Sequence, residues 1–177
     1  MLFTENSLWT MIHGIAFGGG ALLGLGAALF AFHAIRADDV LSAGTPKTAR
    51  SIGLLTSFVA LMLWLTVIAG TYIVFPTYRE TPPEGATDLL RYPRAYLLGD
   101  PDTAWLHAFA METKEHVPWI AAMVATAIAF VAMRYRATLL SDRSLRRMTM
   151  VLLAICFLLV AYISLLGVFI NKVAPVL

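Results

Sequence analysis

Apolar residues along this chain form long uninterrupted runs. Three of the runs are long enough for helices of about 20 residues, which cross about 30 Å of hydrocarbon; they cover residues 8–35, 52–75 and 148–170. A segment in lipid must satisfy its backbone N–H and C=O groups internally or in a closed barrel, and these runs lack the alternation of barrel strands. The pattern therefore predicts membrane-spanning α-helices.

A fourth span is predicted over residues 104–133, with a break near residue 117 left open. Its first part mixes apolar with charged residues. Either one helix runs through the whole segment, or an interfacial segment leads into a helix that begins at Pro118, since the first turn of a helix tolerates proline. In both cases the sequence predicts an all-α, integral membrane four-helix bundle in up-down order, with residues 1–177 forming a single membrane domain.

The distribution of lysine and arginine predicts the orientation of the bundle. Cytoplasmic loops of membrane proteins carry an excess of these residues. The connections after the first and third spans are basic, whereas the loop 76–103 contains more acids than bases. We therefore expect a multi-pass protein of the prokaryotic inner (cytoplasmic) membrane, with both termini and the loop 76–103 on the extracytoplasmic side. The basic residues of the two short connections are Arg36, Lys47, Arg50, Arg134, Arg136, Arg143, Arg146 and Arg147.

Composition agrees with a membrane protein and disfavours several functional classes. Apolar residues make up 59% of the chain and charged residues 14%, against about 45–50% and about 25% in soluble domains. The net charge of +2 gives no basis for nucleic-acid binding, and a single cysteine cannot form a disulfide or a covalent haem motif. Phosphate-binding glycine loops and nucleophile elbows are absent from the sequence. Whether the chain is an enzyme stays open, although a subunit role is favoured.

Most of the ionisable residues near the predicted spans gather towards the extracytoplasmic surface. At about 1.5 Å per helical residue from the basic cytoplasmic ends, three of the four histidines fall in the outer leaflet, and only His33 lies near the inner end. Ionisable groups in a membrane are costly and are functional candidates by default. The outer group consists of His13, His107, His116, Glu112 and Glu115.

These histidines are candidate ligands for haem. Histidines on different helices that point into a bundle core can hold a cofactor, and imidazole is a preferred axial ligand of haem iron. His13 and His116 are the favoured pair, and His107 could replace either of them. Gly14 and Gly18 would let a flat macrocycle approach the backbone, although such small-residue spacing also serves helix packing in membranes.

With these histidines on four spans, the chain resembles the small four-helix b-type membrane cytochromes, which bind haem noncovalently and pass electrons between quinol and a partner. The resemblance implies an electron-transfer subunit with one haem b near the extracytoplasmic face. Glu112 and Glu115 would tune that site or handle protons from quinol oxidation, and the loop 76–103 would dock a soluble electron-transfer protein. Cytochromes with two haems have histidine pairs near both membrane faces, whereas His33 is alone near the inner face.

Two other interpretations stay open. The chain could be a cofactor-free structural or accessory subunit of a larger membrane complex of respiratory type, with its outer charges forming an interfacial patch. Alternatively, the outer group could be a non-haem metal site, because its nitrogen and oxygen ligands suit iron, copper or zinc. No diagnostic metal-binding spacing is present in the sequence.

The two halves of the chain also show a weak internal repeat. Each half has a tryptophan and a histidine before an apolar span, a basic connection, a second apolar span, and then a glycine followed by a proline. Because both halves would start outside, any symmetry axis would lie along the membrane normal. The matching elements are Trp9 with His13 against Trp105 with His107, and Gly70–Pro76 against Gly167–Pro175.

Overall fold

The computed structural model of the chain describes residues 4–35 and 45–176. Every regular element in these residues is a helix, and four helices are long and apolar enough to cross a membrane. Part of the first predicted cytoplasmic connection, including Arg36, lies outside the described residues. The four long helices are α1 (Glu5–His33), α2 (Lys47–Tyr78), α4 (Leu106–Arg134) and α6 (Arg143–Val173), and the short helices α3 (Pro93–Leu98) and α5 (Arg136–Ser141) lie in the connections.

Three of the long helices begin earlier than hydropathy predicts, and polar residues cap two of these, α1 and α6. Helix α1 begins at Glu5 rather than residue 8, where the Thr4 hydroxyl accepts a hydrogen bond from the Ser7 N–H at 3.1 Å. Helix α6 begins at Arg143 rather than residue 148, where the Asp142 carboxylate accepts two first-turn N–H groups at 2.7 and 3.1 Å. These caps satisfy backbone N–H groups in the first turn of each helix. Because the first turns are polar, a hydropathy average does not include them in the predicted span.

Helix α4 runs without a break, so the structure does not contain the alternative helix beginning at Pro118. The helix starts with a π-helical segment, Leu106–Met111, and continues as an α-helix from Glu112 to Arg134 with Pro118 inside it. Proline costs a helix one backbone hydrogen bond, and the helix nevertheless continues on both sides of it. The charged residues before Pro118 are therefore part of the same helix as the apolar ones after it.

The bundle is held together by close packing of α2 against α4. Each of these helices has a second neighbour, α1 for α2 and α6 for α4, and α1 also packs against α6. Small residues let helix backbones approach closely, which matters in lipid because the hydrophobic effect does not drive helices together there. Trp64 of α2 adds a hydrogen bond to the hydroxyl of Thr126 at 2.9 Å. The buried alanines of α4 are Ala121, Ala122, Ala125, Ala129 and Ala132.

The two ends of the bundle differ in character. At the basic end, α4 stops at Arg134 and α6 starts at Arg143. At the opposite end, which we call the histidine end, α2 stops at Tyr78 and α4 starts at Leu106. A second apolar cluster fills the histidine end. Its buried members are Val74, Tyr78, Leu97, Leu106, Ala110, Met111, Leu166, Ile170, Ala174 and Val176.

The loop 76–103 is fastened to the histidine end. Leu97 of α3 is fully buried in the apolar cluster. The hydroxyl of Thr103 donates a hydrogen bond to the Leu97 carbonyl at 3.0 Å and so ties the end of the loop to α3. The loop therefore forms an ordered surface over this end of the bundle.

Candidate functional site

Three π-helical segments lie at the histidine end: Ile12–Gly19 in α1, Gly70–Val74 in α2 and Leu106–Met111 in α4. A π-helical turn is a costly departure from regular helix geometry and is frequent at functional sites. Two of these segments carry His13 and His107, and the third contains the glycine against which His13 packs. The irregular backbone and the ionisable side chains therefore occur in the same part of the molecule.

His13 is held by α2. Its Nδ1 lies 2.8 Å from the backbone carbonyl oxygen of Thr66. A carbonyl can only accept, so Nδ1 carries the proton and Nε2 keeps an available lone pair. The ring lies against Gly70, where a Cβ atom would come within 2.6 Å of the His13 Cε1. Only glycine at position 70 leaves room for this ring.

Lys114 of α4 packs against α6. It is partly buried, and its Cε is 3.3 Å from where a Cβ would stand on Gly167 of α6. Among the described residues, the Lys114 side chain forms no ion pair. The histidine end therefore also contains a lysine side chain that is partly removed from solvent.

His107 is paired with a buried tyrosine. The hydroxyl of Tyr78, the last residue of α2, lies 2.9 Å from His107 Nδ1, and the two ring centroids are 6.0 Å apart. Tyr78 is only 1% exposed. Because a hydroxyl can donate or accept, this contact leaves both neutral tautomers of His107 open.

An open cleft of about 110 Å³ lies beside His107, and we call it the charged cleft. Arg79 contributes a guanidinium that lies over the Phe75 ring, 5.4 Å from its centroid. Arg94 reaches the cleft from α3, and its Nε is buried without a hydrogen-bond partner among the described residues. The lining consists of Phe75, Arg79, Arg94, His107, Glu112 and Glu115.

The structure brings together only part of the residue group that the sequence singled out. His107, Glu112 and Glu115 share the charged cleft, whereas His13 faces α2. His116 is exposed, and its Nδ1 lies 2.7 Å from the backbone carbonyl of Glu112, in its own helix. No hydrogen bond joins two of these histidines in the described part of the chain.

The two glycines proposed to face a macrocycle occupy different environments. Gly14 is exposed, and nothing lies within 4 Å of where its Cβ would be. Gly18 is buried, and a Cβ there would meet only the backbone oxygen of His13, at 3.5 Å. At the histidine end, the glycine that lies close to a ring is Gly70, and the ring is that of His13.

Among the described residues, the charged cleft by itself is too small to hold a haem. The charged cleft is well below the roughly 300–1,000 Å³ of typical cofactor pockets, and His13 and His107 are directed to different neighbours. A larger cleft of about 300 Å³ lies at the basic end, and its lining contains no histidine among the described residues. In the same residues, no three side chains of His, Cys, Asp or Glu come together as a metal site.

Sequence reasoning missed three residues of this site: Tyr78, Arg79 and Arg94. A partial signal was available, because the loop 76–103 contains only three basic residues among five acids. Two of those three line the charged cleft. The pairing of Tyr78 with His107 depends on how the end of α2 meets the start of α4, and no local pattern encodes it.

Comparisons with protein-family models, with curated proteins and with solved structures find no match to this chain.

Proposed function

We propose that the chain is an accessory subunit of a larger membrane complex of respiratory type, and that a partner docks on the loop 76–103. The observation that carries this proposal is the fastening of the loop to the bundle through Leu97, which makes an ordered surface instead of a slack linker. Two exposed leucines on that surface, Leu90 and Leu98, supply apolar contact area. The partner is another membrane subunit or a soluble electron-transfer protein.

The proposal includes an orientation in the prokaryotic inner membrane. The helices run up and down, the basic end is cytoplasmic, and both termini and the loop 76–103 are extracytoplasmic. The support is the clustering of arginines around α5 at the basic end, between Arg134 and Arg147, because positive loops stay on the cytoplasmic side. Labelling of single cysteines placed in the loop and at the basic end, in intact cells, tests this orientation.

Purification from the native membrane in mild detergent tests the accessory role. We expect defined subunits to co-purify with the tagged chain in fixed stoichiometry. Leu90→Glu and Leu98→Glu should release them, whereas Glu84→Gln in the same loop should not. Isolation of the wild-type chain as a lone monodisperse species, with the variants behaving identically, would refute the role.

A second candidate function is electron transfer through a haem b, with another chain contributing part of the haem site. It is favoured by one observation: His13 and His116 each donate Nδ1–H to a backbone carbonyl. A hydrogen bond of this kind orients a histidine ligand and raises the basicity of its other ring nitrogen. A bound haem would supply one-electron chemistry, with quinol as the implied donor. His107 would be the substitute ligand.

Visible spectroscopy separates these two functions. A dithionite-reduced minus oxidised spectrum, with a pyridine haemochrome assay, should give about one haem b per chain if haem is bound. His13→Ala and His116→Ala should then remove the band, and His33→Ala should keep it. A flat spectrum from the intact complex excludes the haem function, and metal analysis of the same sample tests the non-haem metal alternative.

A further inference from the structure

Four charged side chains line the charged cleft without pairing with one another. In the described residues the only ion pair joins Arg91 to Asp88, so the two arginines and two glutamates of the cleft form none. Arg79 and Glu112 are exposed, whereas Arg94 and Glu115 are half-buried. A charge that is partly removed from water costs free energy unless it is paired or hydrogen-bonded. The two half-buried charges of opposite sign, which face the same open space without an ion pair, therefore indicate a polar occupant between them.

The cleft lies at the level of lipid headgroups. The α-helical part of α4 has 23 residues between Glu112 and Arg134, about 34 Å at about 1.5 Å per residue. This length slightly exceeds the hydrocarbon core of about 30 Å. With Arg134 at one membrane surface, Glu112 and the cleft around it lie at the other surface.

The arginines of the cleft are suited to a phosphate. A guanidinium presents a planar fork of N–H donors that matches the oxygens of a phosphate. Arg94 has a buried Nε without an acceptor, and Arg79 is positioned by its contact with the Phe75 ring. Both arginines line the same cleft as His107.

The glutamates of the cleft require a cationic group. Glu112 and Glu115 lie one turn apart on α4 and act on each other electrostatically. A phosphate alone would satisfy the arginines but would lie against these carboxylates. A ligand that carries both a phosphate and an ammonium group satisfies all four charges. A primary ammonium has N–H donors for the carboxylates, whereas a trimethylammonium has none.

We propose that the charged cleft binds the headgroup of an aminophospholipid, with the phosphodiester at Arg79 and Arg94 and the primary ammonium at Glu112 and Glu115. The surroundings favour a lipid over a soluble aminophosphate. Tyr72, one turn before Phe75, is 69% exposed, and aromatic residues of this kind lie along lipid chains near the headgroups. This inference depends on the cleft alone and not on the accessory role.

Lipid retention by the purified chain tests the proposal. The chain is placed in detergent with equimolar phosphatidylethanolamine, phosphatidylcholine and phosphatidylglycerol of equal chain length, and bound lipid is counted by native mass spectrometry. We expect one phosphatidylethanolamine, retained about tenfold over the other two, since the other headgroups lack the N–H donors for a charge-assisted hydrogen bond to the glutamates. Glycerophosphoethanolamine, which has the headgroup but no chains, should compete poorly.

Charge variants identify the binding groups. Arg94→Gln should reduce retention of phosphatidylethanolamine about tenfold. Glu112→Gln with Glu115→Gln should remove the preference for phosphatidylethanolamine and let phosphatidylglycerol bind. Arg91→Gln is the matched control, because Arg91 lies in the same loop and is exposed. Circular dichroism and gel filtration identify variants that fail to fold, and Arg79→Lys then serves as a milder change.

Two results would overturn the proposal. The first is equal retention of the three lipids by the wild-type chain, or retention that Arg94→Gln and the glutamate pair leave unchanged. The second is competition by glycerophosphoethanolamine at the same concentration as the lipid, which would assign the cleft to a soluble ligand.

Discussion

Replacing Gly70 with alanine is expected to destabilise the protein through one specific contact. A Cβ at this position would lie 2.6 Å from Cε1 and 3.1 Å from Nδ1 of His13. The ring is not free to move away, because its Nδ1 donates the 2.8 Å hydrogen bond to the Thr66 carbonyl. The added methyl group must therefore push the imidazole out of its position and lengthen or break that bond.

The size of the effect follows from three contributions. Overpacking a filled interior costs about 1–3 kcal/mol, and loss of one hydrogen bond costs about 0.5–1.5 kcal/mol. Alanine returns about 1 kcal/mol because it is a better helix former than glycine. The free energy of unfolding of Gly70→Ala should therefore fall by about 1–3 kcal/mol.

A double-mutant cycle isolates the contact. Unfolding is followed in mixed micelles of rising SDS content for the wild type, Gly70→Ala, His13→Ala and the double variant. In the His13→Ala background the Gly70 substitution should be neutral or stabilising by up to about 1 kcal/mol. Gly14→Ala is the matched control, since that glycine is exposed with open space around it. An equal cost of Gly70→Ala in both backgrounds would refute the reasoning.

Three further substitutions test other contacts by the same unfolding assay. Tyr78→Phe removes the hydroxyl that bonds His107 and should cost about 1 kcal/mol; no loss would mean that water replaces the hydroxyl. Gly24→Ala should cost about 1–3 kcal/mol, because its Cβ would lie 2.8 Å from a methyl group of Val59, and β-branched side chains adjust poorly. Lys114→Met should leave stability unchanged or raise it, because it removes a partly buried charge that has no ion pair among the described residues. A large loss would show that this charge is satisfied in the membrane.

Hydropathy was enough to predict an all-helical chain with four apolar spans, and the structure confirms both. The reason is physical: in lipid the backbone leaves few alternatives to a helix, so a long apolar run determines its own secondary structure. The ends of the helices were predicted less well. Thr4 and Asp142 extend two helices into polar sequence by satisfying their first-turn N–H groups, and a hydropathy average does not contain that information.

The candidate site was predictable only where its residues share one helix. His107, Glu112 and Glu115 all lie in the first turns of α4, so their proximity follows from helix geometry. Arg94 comes from the loop helix α3, and Tyr78 comes from the far end of α2. Their positions depend on how the loop folds back on the bundle, which a single sequence does not encode in any short pattern.

Helix phase alone does not determine where the His116 ring points. Its separation of four residues from Glu112 places both side chains on one face of a helix. In the structure His116 Nδ1 instead lies 2.7 Å from the Glu112 backbone carbonyl. The ring turns back along its own helix, while the carboxylate lies in the charged cleft.

In both halves of the chain, a glycine of one helix makes room for a polar side chain of another helix. In the first half, Gly70 of α2 makes room for His13 of α1; in the second, Gly167 of α6 makes room for Lys114 of α4. The helix that carries the polar side chain, α1 or α4, contains a π-helical segment in its first turns. The helix that follows it, α2 or α6, supplies the glycine. These paired contacts fit the weak repeat in the sequence, because Gly70 and Gly167 are matching positions within it. The repeat matches His13 with His107 and not with Lys114. The two glycines are therefore matching positions, whereas the side chains that they accommodate are not.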